Sequence, residues 1–214
     1  MKTFLIIGMS TFGQHLCQEL SRLGCEVMIA DASEKVIEPM LPFCVNAKIG
    51  DCTNIEVLKS FGVDEFDACF VCLGGNFTEG LEISSQLKEL GAKKVISEVN
   101  RYIERKFLLR NGADAVVYPE MDVARRVAGR ESSDSIFDAV NLSDGYSVFE
   151  ILPPQNWCGK SIKELNVRAK HNINIIAVKK ENHIEPLLSP DYIFNPSEHL
   201  IVMSHDYVIR KLLK

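Results

Sequence analysis

The residues best suited to chemistry stand near the start of the chain, in the run Gly8, Met9, Ser10, Thr11, Phe12, Gly13. An apolar run precedes it and helical periodicity follows. In that setting a glycine-rich turn holds phosphate. A first glycine allows the tight turn, a second lets a pyrophosphate approach the backbone, and a third lets the helix pack on the strand. Gly8 and Gly13 hold the first and third places, and Ser10 stands in the second. Its hydroxyl can donate to a phosphate oxygen. Thr11 follows in the turn and Phe12 opens the helix, whose N-terminal N–H groups and positive dipole end favour anions. Asp31 closes the next apolar run, where a carboxylate accepts from ribose hydroxyls, and Ser33 follows in the same loop. The competing reading is that both glycines serve only a tight strand–helix turn.

The elements that must position these groups are legible as alternation. Six apolar runs, "TFLIIG", "EVMIAD", "NAKIGD", "DACFVCLG", "KKVISEV" and "DAVVYP", are separated by stretches with helical spacing over 12–23, 34–41, 54–61, 77–90, 101–111 and 119–130. Strands alternating with helices imply a parallel, doubly wound α/β sheet of Rossmann type. Ligands of such sheets bind at the carboxyl ends of the strands. That rule adds Gly50, Asp51 and Cys52, then Gly74, Gly75 and Asn76, then Glu98, Asn100 and Arg101, and finally Glu120. Each has a plainer reading as well. Asp51 or Thr53 could cap the next helix, Gly74 and Gly75 could be loop glycines, and a carboxylate at Glu120 suits a first helical turn behind Pro119.

The grammar changes after "GRESSDS", 129–135, a polar joint. "IFDAVNL" reads as a short bridging helix. "YSVFEIL", "INIIAVKK", "HIEPLL" and "HLIVMS" read as strands, with Pro186 marking an edge. Ser161 and Glu164 form a capping box before "IKEL". "DYVIRKLL" ends the chain as a helix. The expected division is a nucleotide-binding domain over 1–133, a crossover to about 142, and a small α+β domain over 143–214.

Composition limits the functions. A net charge of −5 argues against broad nucleic-acid binding. No apolar run approaches the ~18 residues of a membrane span, and no signal-peptide pattern opens the chain, so a cytosolic protein is expected. Seven scattered cysteines read as free thiols. Cys69 and Cys72 would point to opposite faces of one strand and could not share a metal. No Ser/His/Asp set, phosphate-loop lysine or paired metal ligands is visible. The cleft also lacks the acid–base residue a dehydrogenase needs.

The segments "IGMSTFGQHLCQEL", "GDCTNIEVLKSFGVDEFDACFVCLGGN", "LLRNGADAVVYPEMDVARRVA" and "GKSIKELNVRAKHNINIIAVKK" resemble the RCK (KTN) regulators of Trk/Ktr-type potassium transporters and channels, over essentially the whole chain. The resemblance implies a regulatory subunit without catalysis. It implies homodimers assembled into an octameric ring beneath a membrane-embedded potassium transporter or channel, peripheral to the inner face of the cell membrane. An adenine nucleotide (ADP, ATP, NAD or NADH) would occupy the cleft. Asp31 would hold ribose, Ser10 to Gly13 would face the phosphates, Asp51 and Cys52 would lie near adenine, and Gly74 to Asn76 would close the cleft. Glu120 would ligate a divalent or sodium cation. In some relatives the C-terminal domain binds cyclic di-AMP, which would place Arg168, Ile173, Ile175 and Ile176 near a second ligand; the plain alternative is that "INIIAV" is a buried strand.

Two departures bear on the ligand. Thr11 and Glu98 stand where ATP-responsive relatives carry basic residues. Losing basic partners lowers affinity for a polyanion, so ADP, NAD and AMP-like ligands gain weight over ATP. Arg101 and Arg125 are the basic residues that could compensate. Two other functions compete with the regulator: an NAD-dependent oxidoreductase, and an assembly module with a degenerate cleft.

Overall fold

The computed structural model describes residues 1–131, 135–181, 183–186 and 189–213. The chain divides into two compact units, Met1–Met121 and Asp122–Lys214.

The first unit is built on six parallel strands: β1 (Thr3–Ile7), β2 (Glu26–Asp31), β3 (Asn46–Ile49), β4 (Ala68–Val71), β5 (Val95–Glu98) and β6 (Ala115–Val117). Their order is β3-β2-β1-β4-β5-β6, so all six sequence-derived strands are present and the doubly wound topology holds. Side chains alternate between two cores. Leu5, Ile7, Met28, Ala30, Cys69 and Val71 face one, and Ile6, Val27, Ile29 and Cys72 face the other. Burial on both faces explains why these strands are nearly continuous apolar runs. It also puts Cys69 and Cys72 on opposite sides of β4, as their spacing required.

The connecting helices are α1 (Thr11–Arg22), α2 (Glu34–Ile37), α3 (Ile55–Lys59), α4 (Phe77–Glu89) and α5 (Tyr102–Arg110); α6 (Pro119–Glu131) follows β6 and runs from the first unit into the second. The helix expected over 34–41 is α-helical for one turn only and continues as a 3-10 helix over Glu38–Phe43. Pro39 and Pro42 carry no N–H to continue an α-helical ladder. Helix α6 runs on to Glu131, into the stretch expected as a joint, and residues 132–134 of that stretch lie outside the described residues.

The second unit contains an antiparallel sheet of β7 (Ile136–Ser143), β8 (Tyr146–Ile151), β9 (Asn174–Lys180), β10 (His183–Pro186) and β11 (His199–His205), in the order β10-β9-β11-β8-β7. Short helices α7 (Ile162–Leu165), α8 (Val167–His171) and α9 (Asp206–Leu212) accompany it. Trp157 and Phe194 centre a core that includes Ile151, Val178, Leu200, Val202 and Ile209. The expected edge strand with Pro186 is β10; Leu187 and Leu188, read as its continuation, lie outside the described residues. The capping box holds: Ser161 Oγ accepts from the Glu164 N–H at 3.2 Å, and the Glu164 carboxylate accepts from the Ser161 N–H at 2.7 Å.

One element is corrected. "IFDAVNL" is the strand β7, not a bridging helix. It pairs with β8 from Ile136↔Ile151 to Ser143↔Tyr146, around Asp144 and Gly145 at φ 53° and 76°. Two successive positive φ values at Asp-Gly make the turn whose twist matches antiparallel strands. The turn decides the structure of the run before it.

Among the described residues, no helix is long and apolar enough to cross a membrane.

Candidate functional site

Strands β1 and β4 are neighbours, yet the chain leaves β1 in one direction and β4 in the other. Their following loops therefore diverge, and a crevice opens at their carboxyl ends. A cleft of about 360 Å³ lies there. Its floor is the turn Gly8–Ser10. Asp31 and Ala32 from β2 line one flank, Asp51 and Cys52 beyond β3 another, and Leu73, Asn76 and Glu79 the side below α4.

The two glycines of the turn are required by packing. Gly8 has φ +86°, and a Cβ there would stand 2.3 Å from the Cys72 carbonyl oxygen. A Cβ on Gly13 would stand 2.7 Å from the Gly8 oxygen, so the third-position glycine lets α1 lie against β1. Ser10 is the N-cap of α1, its Oγ accepting from the Gly13 N–H at 3.1 Å. Thr11 and Phe12 supply the next two N–H groups, and neither has an acceptor among the described residues. Phe12 itself packs on the core beneath. Thr11 is exposed.

Asp31 organises the turn. One carboxylate oxygen accepts from the Met9 N–H at 2.7 Å and the other from the Ser33 N–H at 2.8 Å. The two bonds fix the carboxylate at the cleft edge, and each oxygen keeps a further lone pair for a hydroxyl donor. Asp51 accepts from the Thr53 N–H and hydroxyl at 2.9 and 2.7 Å, and these bonds hold its carboxyl below the usual range. Neither Asp51 nor Thr53 caps α3; that role falls to Asn54, whose Oδ1 accepts from the Glu56 N–H at 3.0 Å. Burial, with the charges of Asp31 and Asp51, pushes the Cys52 thiol up to about 11. A thiol that stays protonated at neutral pH is no nucleophile.

Across the cleft, Asn76 caps α4, accepting from the Glu79 N–H at 3.4 Å. Glu98, at the end of β5, is not itself a lining residue but touches one: it accepts from the Ser10 hydroxyl at 2.7 Å, and from the Gly74 N–H at 3.4 Å. Asn100 lies against Gly75, and its Oδ1 is buried without a partner among the described residues. Arg101 does not reach the cleft: its Nε donates to Glu104 at 2.6 Å. Burial works against the Glu104 charge, but Arg101 and the N–H groups of Asn100 and Arg101 outweigh it and hold the carboxyl below the usual range. Glu120 is exposed in the first turn of α6 and does not line the cleft. Among the described residues no three His, Cys, Asp or Glu side chains gather as a metal site. No lysine or arginine is among the cleft's lining residues. Glu79 and the apolar wall of Val36 and Ile83 escaped the sequence reading; only the spacing of Glu79, three after the cap Asn76, hinted at its place.

The second unit has a larger cavity, about 600 Å³, lined by Tyr146, Arg168, Asn172, Asn174, His205 and Tyr207 among others. The His205 ring lies 5.2 Å from Tyr146 and 4.7 Å from Tyr207. Of the residues anticipated there, Arg168 lines the cavity, Ile173 and Ile175 belong to the core, and Ile176 is exposed.

This architecture recurs in known proteins. A family model described as "TrkA-N domain" matches residues 4–119, and one described as "TrkA-C domain" matches 147–214. The chain belongs to this TrkA-domain family. It is 31% identical over 210 residues to the "Ktr system potassium uptake protein A" of Bacillus subtilis (strain 168), covering 98% of this chain and 95% of that protein. To the "Ktr system potassium uptake protein C" of the same organism it is 36% identical over 188 residues, covering 87% and 85%. The solved structure described as "GsuK channel bound to NAD" superposes with a TM-score of 0.70 at 16% identity, over 100% of this chain and 39% of that one. The "Crystal Structure of the GsuK RCK domain" gives 0.68 at 16%, over 99% and 47%. This chain thus spans less than half the length of either of those two chains.

Proposed function

We propose that the protein is a nucleotide-sensing regulatory subunit of a potassium uptake system, with no reaction of its own. The single observation that carries this reading is the cleft at the β1/β4 switch point. There Asp31 is fixed beside a glycine turn whose Thr11 and Phe12 N–H groups still lack acceptors, in a chain closely related to Ktr proteins.

In this reading an adenine nucleotide lies across the turn. Its ribose hydroxyls donate to Asp31, its phosphates accept from Thr11 and Phe12, and its base rests near Asp51 and Cys52 against Val36 and Ile83. Gly74 to Asn76 close over it. ADP, ATP, NAD and NADH are the ligands to compare; the GsuK structure described with NAD gives the dinucleotide its place among them. Glu120 is one carboxylate, so a divalent or sodium cation bound there takes its other ligands from the nucleotide phosphates or a second subunit. The subunits pair and close into an octameric ring at the inner face of the membrane, against a potassium transporter or channel subunit. Differential affinity of the ligand for two ring shapes gates that partner. Moving such a balance from 1:99 to 99:1 takes about 5.5 kcal/mol, which several coupled sites can share.

The test is thermal melting and titration calorimetry of the full chain with ATP, ADP, NADH and magnesium. At least one nucleotide raises the transition, and Asp31→Ala weakens its binding by about tenfold or more, the loss expected for a hydrogen bond to a charged group. No shift with any nucleotide, or uptake indifferent to Asp31→Ala, defeats the reading.

The cavity beside Arg168 supports a second ligand, cyclic di-AMP, in the second unit. Titration of the full chain with cyclic di-AMP tests it; heat that persists in Arg168→Ala, or no heat at all, rejects that site.

A further inference from the structure

We propose that Glu98, held in place by Ser10, selects the class of nucleotide: it admits a dinucleotide whose phosphates are bridged to a second ribose and turns away a terminal triphosphate. The proposal rests on the nucleotide reading of the cleft and sharpens it.

Ser10 stands where a phosphate-binding turn ordinarily has a glycine, and Glu98 ends the strand two places away in the sheet. The two meet at 2.7 Å across 88 positions of sequence. The same carboxylate oxygen also takes the Gly74 N–H. So two donors at the mouth of the turn already serve an anion that belongs to the protein. Of the turn's own N–H groups from Gly8 to Gly13, those of Thr11 and Phe12 have no acceptor among the described residues and remain for a ligand. The lining adds Asp31, Asp51 and Glu79 and no basic side chain.

A bridging phosphate diester carries about one negative charge and presents few oxygens, so two N–H groups at a helix end suit it. A terminal phosphate carries close to two charges over three oxygens and calls for cationic or several charge-assisted donors. To settle here it must displace the Glu98 carboxylate from Ser10 and Gly74 or lie against it. Like charges brought that close repel each other. The second ribose of a dinucleotide does the opposite, because its hydroxyls can donate to Glu98. The serine of the turn then has a role: its hydroxyl orients the selecting carboxylate, while its own position caps α1.

The experiment is competitive titration of ATP, ADP, AMP and NADH on the full chain, native and carrying Glu98→Gln or Glu98→Lys. Gln keeps an acceptor for both donors and removes the charge. In the native protein NADH, which has no terminal phosphate, binds above the three mononucleotides, and among these affinity falls as total charge rises, AMP above ADP and ADP above ATP. Glu98→Gln moves the ATP-to-NADH affinity ratio toward ATP by about tenfold, the scale of one like-charge contact, and Glu98→Lys moves it further. An unmoved ratio in both variants, with binding still dependent on Asp31, overturns the selector while leaving the cleft intact. A native order with ATP first overturns it without any variant. If none of the four nucleotides binds native protein, the nucleotide reading itself fails and this one with it.

Discussion

The two units of this chain make cavities by different means. In the first, parallel strands end together and their connections part company at β1 and β4, so the cleft follows from topology and is floored by backbone. Its chemistry comes from N–H groups and from carboxylates that the loops hold in place. In the second, the sheet is antiparallel, and the long connection from β8 to β9 carries α7 and α8. The cavity there is walled by side chains, Arg168 and the aromatic group Tyr146, His205 and Tyr207. A site floored by backbone is most sensitive at its glycines and at the few carboxylates that those loops fix, whereas a side-chain-built site is sensitive along its whole wall.

The charge arrangements differ in the same way. In the first unit most carboxylates at the cleft answer to backbone donors. In the second, Glu150 is wedged between Lys179 and His199, at 2.8 and 2.6 Å, and the His199 ring stacks on Phe137 at 4.0 Å. Burial disfavours the Glu150 charge, but Lys179 and His199 outweigh it and hold the carboxyl below the usual range.

Three substitutions would break or sharpen this contrast. The largest effect belongs to Trp157→Ala. Trp157 is 1% exposed and packs on Phe194 at 5.5 Å, so its loss costs the second unit about 3–5 kcal/mol. Calorimetry should show that loss, while nucleotide uptake by the first unit persists; a change below about 1 kcal/mol would mean the core is not centred there. Next is Gly8→Ala. A side chain at positive φ, driven into the Cys72 carbonyl, costs about 2–4 kcal/mol. Faster hydrogen exchange along β1 and lost nucleotide uptake would report it, whereas normal uptake would show that the turn can relax. The smallest is Glu150→Gln, about 1–2 kcal/mol. Because the folded carboxyl is held down, its stabilisation is complete above the ordinary glutamate value of about 4.3 and is lost as pH falls through the lower folded value. The variant should flatten that part of the acid-unfolding curve, followed by the emission of Trp157, the one tryptophan of the chain. An unchanged curve would assign the acid sensitivity to other carboxylates, Asp138 beside Arg126 among them.

Local information reached far into this molecule. Apolar runs bounded by turns located all six parallel strands, because burial on two faces leaves few polar positions inside a strand. The glycine turn was legible because its steric demands act within a few residues. The capping box at Ser161 and Glu164 was legible for the same reason. The error at β7 is instructive. Ile136–Leu142 carries no decisive period, and the deciding residues, Asp144 and Gly145, lie just beyond it in a turn that commits the run to pair with β8.

What the sequence by itself determined, then, was the set of elements, their parallel or antiparallel grammar and the phosphate-type turn, all governed by contacts within about one turn or one strand. Tertiary structure alone decided the partners: Asp31 to Met9, Glu98 to Ser10, Arg101 to Glu104 and away from the cleft. A carboxylate can satisfy itself with many donors, and which one it meets depends on where the sheet order brings distant loops together.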